Sequence, residues 1–217
     1  MQKHLSVSLI ESIRMYRKYI KRGGDFIFSL FLIILLIPVF IIIAVLVAIL
    51  EGRPILFSQK RIGKHEKEFT LFKFRSMSNA IDEKGVLLSE TQRLTKFGVF
   101  LRSSSLDELP ELFSILKGDM SFVGPRPLPS FYLPYLFDNE RKRHQVRGGL
   151  IPPDSLSGKA YTTWEEQFKY EMDYVSNVTF KNDSKIIWMT IKILFLRYKS
   201  NYGNEFRPHL DEYRRIK

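Results

Sequence analysis

The sequence predicts an α/β domain at a membrane: a small sheet with surrounding amphipathic helices, set behind an apolar N-terminal segment. Three observations predict it. Phe26–Leu50 (FIFSLFLIILLIPVFIIIAVLVAIL) runs for 25 residues without a charge, and about 20 apolar residues are enough for a helix to cross a bilayer. Two β-like stretches, Pro54–Ile62 and Phe69–Met77, flank the turn GKHEK. Several later segments repeat apolar residues at helical spacing, with charge on the other faces. The 217-residue chain suits one domain, or one plus an appendage, and its 45% hydrophobic content is enough for a core.

The formal net charge is +11 and the pI about 9.7, a balance that points to polyanions such as nucleic acid, acidic lipid or phosphorylated substrates. There are no cysteines. That excludes disulfides and thiolate metal sites and fits a reducing compartment. His4, His65, His144 and His209 stand far apart, so no His-based metal motif is present. P-loop and GxGxxG motifs are absent too.

Taken in order, residues 1–24 read as a surface helix. Leu5, Leu9, Ile13, Tyr16 and Ile20 recur at helical spacing, and Arg14, Arg17, Lys18, Lys21 and Arg22 fill other faces. Such a helix suits either an anionic membrane surface or the flank of its own domain. Residues 25–51 hold the apolar run. One spanning helix is the default, but Pro38 at its middle removes an amide donor, and Arg53, Lys60, Arg61 and Lys64 make the C-side as basic as the N-side. The positive-inside rule then gives no orientation, and a bent helix that enters and leaves on one face stays open. In the β-like stretch FTLFKFRSM, Lys73 and Arg75 share one face, with Phe72 and Phe74 on the other. Two cations there can hold phosphate oxygens or protect an edge. Ile81–Glu90 reads as a polar loop and Leu94–Leu101 as a short helix or turn. Ser130–Val146 reads as a helix ending in the basic run ERKRHQVR, a solvated face or a headgroup contact. Arg147–Gly158 reads as a loop, and Trp164–Val175 as a helix whose Trp164 and Tyr170 read as core residues or as stacking residues. Ser184–Tyr198 reads as a last helix capped by Asn182 or Asp183, and Asn201–Lys217 as a polar, loosely ordered tail.

The chemistry concentrates in Arg102–Pro127, RSSSLDELPELFSILKGDMSFVGPRP. Asp107 and Glu108 are adjacent carboxylates, with Arg102 before them and Arg126 after. Ser105 followed by Glu108 reads as a capping box that starts a helix, and Lys117-Gly118 ends it. Acids at a helix N-terminus can serve the macrodipole alone. With Lys73, Arg75, Arg102 and Arg126 in the same chain, they also read as phosphoryl-transfer parts: a carboxylate is a nucleophile toward phosphorus, and two carboxylates can bind Mg²⁺.

FKFRSM, LRSSSLDELPEL and KGDMSFVGPRPL, in this order behind a short apolar segment, strongly resemble the bacterial sugar transferases, also called monotopic phosphoglycosyl transferases, over roughly Lys21–Lys199. The chain is similar to the small, catalytic-core type. The resemblance implies transfer of a sugar 1-phosphate from a UDP-sugar to polyprenol phosphate, with release of UMP, as the first step of a surface glycan. It implies that Asp107 is the nucleophile that carries the phospho-sugar, and that Glu108 assists as a Mg²⁺ ligand or as a base. It implies phosphate contacts for Lys73, Arg102 and Arg126, with Arg75 beside them. It also implies a re-entrant apolar helix broken at Pro38. Residues 52–200 would then be a catalytic domain on the cytoplasmic face of the bacterial inner membrane, in contact with phospholipids and not with nucleic acid. Homo-oligomers and contacts with downstream glycosyltransferases stay open.

The family commonly carries PG-x-TG-x-x-Q before the Trp-Glu helix, where this chain reads VRGGLIPPDSLSGKA, and Glu171 stands where Asp is usual. The first departure leaves the sugar undetermined. The non-enzymatic alternative is an inactive membrane scaffold of a glycan assembly complex, and the intact acids and cations argue against it.

Overall fold

The structure is a computed structural model that describes residues 15–159, 162–197 and 207–216. Residues 1–14 of the N-terminal basic segment, and 198–206 of the tail, lie outside the described residues.

The apolar run forms two helices, α1 (Lys21–Leu35) and α2 (Ile37–Leu50), bent by 63°. The bend is at Leu36, whose ψ of 7° leaves the helical range. Pro38, the second residue of α2, has no N–H for the Ile34 carbonyl one turn back, so the ladder is interrupted where the proline predicts. Among the described residues no single helix is long and apolar enough to cross a membrane; the bent pair passes that test together. Each helix docks through a narrow stripe. In α1 this is Asp25, Ser29 and Ile33, four residues apart, and in α2 it is Ile43 and Val47. The rest faces outward: Ile27, Phe28, Phe31, Ile34, Ile41, Ile42 and Ile49 are each more than half exposed.

The described basic residues ahead of the run pack on the protein itself. Lys21 Nζ lies 2.6 Å from Asp183 Oδ2. Arg22 donates to the carbonyls of Ile115 and Leu116 at 2.7 and 2.8 Å, and Arg17 donates to the carbonyl of Gln145. Asp25 accepts from Ser121 Oγ at 2.7 Å and from the Phe122 amide at 3.1 Å. α1 is thereby tied to the domain by buried polar bonds as well as by packing.

Among the described residues the β content is two two-stranded sheets rather than one. β1 (Leu56–Ile62) and β2 (Glu68–Phe74) are antiparallel, in register from Leu56↔Phe74 to Ile62↔Glu68. Alternation along β2 sends Phe69 and Leu71 into a core with Ile33, Leu112, Ile115 and Met120, and Phe74 into another with Ile43, Val47 and Leu101. Phe72, on the Phe74 side, is 43% exposed. α3 (Lys96–Ser103) is capped by the Thr95 side chain, which accepts from the Gly98 amide. Gly98 is needed for close approach: a Cβ there would lie 1.9 Å from the Ser76 carbonyl oxygen.

The capping box expected at Ser105–Glu108 does not form. Ser105 is left-handed (φ 57°) with no side-chain cap bond, and Leu106–Glu108 is a 3₁₀ turn. The Glu108 carboxylate is drawn instead to Lys73. α4 (Glu111–Lys117) starts after Pro110 and ends at Gly118, where φ is +99°. β3 (Met120–Val123) then pairs in parallel with β4 (Gly148–Ile151), which lies inside the stretch expected to be loop.

The helix expected over Ser130–Val146 is broken into a 3₁₀ segment (Ser130–Tyr135), a helical turn (Asp138–Arg141) and a second 3₁₀ turn (Lys142–Gln145). Pro134 cannot continue an α-helical ladder. Its basic run is not a solvated face, since Arg143 and His144 are buried and Arg141 pairs with Glu66 at 2.6 Å. α5 (Trp164–Ser176) opens with a Thr163–Glu166 capping box, and Trp164 is in the core. α6 (Phe180–Arg197) starts earlier than its sequence signal. Thr179, not Asn182 or Asp183, receives the Asn182 amide. Asp183 is buried and accepts from Tyr16, Lys21 and Tyr174. In the tail, α7 (Leu210–Ile216) docks rather than dangles: Leu210 is fully buried with Ile62, Tyr132, Trp164 and Phe168.

Candidate active site

The strand, turn and helix just described meet at one cleft of about 1510 Å³, and Lys73, Arg102, Asp107, Glu108 and Arg126 all line it. Asp107 sits on the 3₁₀ turn, bracketed by left-handed Ser105 and by Pro110. A non-glycine residue with positive φ beside a functional side chain is a common sign of stored local strain. Asp107 is 8% exposed. Burial pushes its carboxyl up to about 6; Lys73 opposes the rise, Glu108 adds to it and Arg102 opposes it again.

Lys73 ends the buried face of β2, with its ammonium 2.6 Å from Glu108 Oε1 and 3.1 Å from Glu111 Oε1. Burial alone would lower the ammonium, but Glu108 and Glu111 together hold it above its usual value. Arg102, in the last turn of α3, donates from Nε to Ser76 Oγ at 3.0 Å. Arg126 reaches Glu108 Oε1 at 3.4 Å, and its side chain is 48% exposed at the rim. Arg75 lines the cleft, but its guanidinium is bound to the carbonyls of Met77 and Arg53 at 2.8 and 2.7 Å. It stitches the end of β2 to the segment before β1.

The loop that carries Arg126 is clamped from behind. The Arg126 amide donates to Glu171 Oε1 at 3.0 Å, and the Arg126 carbonyl accepts from Arg143. Glu171 and Arg143 form a 2.9 Å ion pair whose side chains are 0% and 2% exposed. Burial pushes the Glu171 carboxyl up and the Arg143 guanidinium down, while each partner's charge opposes the change. Gln167 also donates to Glu171 at 2.9 Å.

The arrangement is a buried, proton-hungry carboxylate beside a second carboxylate, with cations on both sides. That layout suits attack on phosphorus and neutralisation of phosphate charge. Residues 16–197 match the bacterial sugar transferase family. The chain belongs to this family. It is 39% identical over 173 residues to an uncharacterized sugar transferase, EpsL, of Bacillus subtilis, with 80% of this chain and 86% of that protein covered. It is 32% identical to the undecaprenyl-phosphate galactose phosphotransferase of Salmonella typhimurium, covering 83% of this chain and 41% of that one. It is 35% identical to a UDP-glucose:undecaprenyl-phosphate glucose-1-phosphate transferase of Klebsiella pneumoniae, covering 85% and 40%. The alignments with these last two thus span about two-fifths of their length.

In this sugar transferase the sequence motifs point to Lys73, Arg102, Asp107, Glu108 and Arg126 in the cleft, but not to Glu111, which sits behind them on Lys73 at 3.1 Å. That carboxylate lies one helical turn beyond Asp107, is 4% exposed, and is raised chiefly by burial. Its spacing from Asp107 was a usable signal. In the sequence Arg61 stands only as part of a basic flank. Arg61 lines the cleft and donates to the Pro127 carbonyl at 2.9 Å; no spacing rule links it to Arg126. Among the described residues no group of three or more His, Cys, Asp or Glu side chains could hold a metal.

Proposed function

We propose that this protein transfers a sugar 1-phosphate from a UDP-sugar to polyprenol phosphate through a covalent intermediate on Asp107. One observation carries the reading: Asp107, Glu108, Lys73, Arg102 and Arg126 line one cleft, together with Leu32 and Leu36 at the bend of the apolar helices. A polar donor and a lipid phosphate could meet there. The names of the relatives from Salmonella and Klebsiella support the substrate class.

The Asp107 carboxylate attacks the sugar-bearing phosphorus, forming an acyl phosphate as the bond to the bridging oxygen breaks, and UMP leaves with that electron pair. An oxygen of polyprenol phosphate then attacks the same phosphorus and releases the carboxylate, leaving the sugar on a polyprenyl diphosphate. Lys73, Arg102 and Arg126 hold the phosphate oxygens and the charge that shifts between them. Glu108, held by Lys73 next to Asp107, orients the incoming group or acts as its base. The donor set also fits Mg²⁺, which takes one or two carboxylates and fills its shell with phosphate and water. Asp107 and Glu108 would hold it, and it would neutralise phosphate charge.

The bent, outward-apolar α1–α2 pair supports re-entry: each arm is too short to span a bilayer of about 30 Å, and both ends would lie on the cytoplasmic face of the bacterial inner membrane. The test is UMP release by purified protein across a panel of UDP-sugars with polyprenol phosphate and Mg²⁺. Release with one sugar, lost in Asp107→Asn, is the expected result. Equal release by wild type and variant would remove Asp107 as the nucleophile, and none from any donor would favour the scaffold.

A further inference from the structure

The family match ends at residue 197, yet the chain beyond it returns to the cleft. Arg207 and His209 line it. The return is firmly built. The Pro208 carbonyl accepts from Trp164 Nε1 at 3.1 Å, His209 Nδ1 lies 2.7 Å from the Tyr132 hydroxyl, and Arg214 pairs with Glu140 at 2.5 Å.

Arg207 is posed more tightly than anchoring requires. Its guanidinium stacks on the Trp164 ring, 3.6 Å from the centroid. One nitrogen, Nη1, donates both to the Thr162 carbonyl (3.2 Å) and to Gln167 Oε1 (2.9 Å). Its Nε and Nη2 make no hydrogen bond among the described residues, so one edge of the fork is left for a ligand. Gln167 in turn bonds Glu171, which holds the Arg126 amide. Arg207 and Arg126 are therefore placed by one network.

Arg61, Arg126 and Arg207 line the cleft beside Lys73 and Arg102. Arg61 donates to the carbonyl of Pro127, next to Arg126, and Arg207 connects to the Arg126 amide through Gln167 and Glu171. Burial lowers both guanidinium groups, and the Arg126 charge is the next cause in each case. Like charges gathered in a cleft wall are stabilised when an anion lies between them. A nucleoside diphosphate-sugar has two phosphates: one is attacked and the other leaves with the nucleoside.

We infer that the C-terminal segment is a wall of the donor site, and that Arg207, with Arg61 and Arg126, binds the phosphate that departs with the nucleoside. This rests on the UDP-sugar reading above. The segment then does two jobs: Leu210 closes the core, and Arg207 completes the anion subsite at Arg126.

The test uses full-length protein and the probes UDP and uridine, with binding measured by calorimetry. Wild type should bind UDP more tightly than uridine. Arg207→Ala should weaken UDP by about tenfold, the scale of one charge-assisted hydrogen bond, and leave uridine unchanged. Arg207→Lys, which keeps the charge without the fork, should fall between them and also serves if the alanine variant does not fold. A folded Arg207→Ala protein with wild-type UDP affinity would overturn the inference, and so would an equal loss for UDP and uridine. Wild type that binds neither probe would sink the donor reading and the inference with it, whereas UDP binding untouched by Arg207 variants would sink the inference alone.

Discussion

Lys73 Nζ stands 2.6 Å from Oε1 of Glu108, with both side chains about one-fifth exposed. The same ammonium lies 3.1 Å from Glu111, so one cation separates two carboxylates. Replacing Lys73 by Met leaves them facing each other without it. The expected loss of stability is about 2–4 kcal/mol, the scale of an uncompensated buried charge. UMP release should fall on the order of 10²–10³-fold, as for loss of one preorganised electrostatic group. Adding Glu111→Gln to Lys73→Met should restore part of the stability, read as a denaturation midpoint, and none of the activity. Full recovery of activity would mean that Lys73 serves the fold alone.

Asp107 supplies a pH prediction. Its carboxyl, raised by burial to about 6, must be ionised to attack, so turnover should climb as pH rises through about 6. Stability runs the other way. The folded state holds this proton more tightly than the unfolded chain, so the carboxyl destabilises the fold as pH rises through that window. Asp107→Asn should therefore be more stable than wild type above about pH 6, by on the order of 1–3 kcal/mol, and equal to it below about pH 4. Melting curves of both proteins at pH 4 and pH 8 check this. A constant gap at both pH values would contradict the assigned shift.

The fold was legible where one local rule decides the outcome. Proline and length marked the bend near Pro38, and alternation marked β1 and β2. Contiguous motif residues marked Asp107, Glu108 and Arg102. It was not legible where distant partners compete. The Ser105–Glu108 spacing satisfies a capping rule, but Lys73, 35 positions away, takes the Glu108 carboxylate. The run ERKRHQVR has the composition of a surface, and only the fold brings Glu171 and Glu66 to its arginines. Arg207 lies in a polar tail without periodicity, and its place is set by Trp164 and Gln167.

The Arg143–Glu171 pair yields a prediction that separates stability from activity. Arg143→Met leaves Glu171 buried without its partner and should cost about 3–5 kcal/mol. The double change Arg143→Met with Glu171→Leu removes both charges and should recover much of that loss. It also removes the acceptor for the Arg126 amide and the donor to the Arg126 carbonyl. UMP release should therefore stay low in the refolded double variant, since small misplacements of positioning groups cost rate steeply. Wild-type turnover in that variant would show that the Arg126 loop holds its place unaided.

The bent apolar pair predicts a topology. α1 and α2 meet at 63°, and α1 is fastened to the domain through Asp25 on Ser121 and Phe122. A fully spanning arrangement would put residues before 25 across the bilayer from β1 and β2. Re-entry keeps both ends with the domain. The chain has no cysteine, so an introduced one reports alone. A cysteine placed before residue 25 and, in a second protein, one placed after residue 52 should both react with an impermeant thiol reagent in inverted membrane vesicles, and neither should react in intact spheroplasts. Labelling of the two from opposite sides would establish a spanning helix. α1 would then have to leave its contacts with Ser121 and Phe122, and an Asp25→Asn substitution would be tolerated without loss of stability.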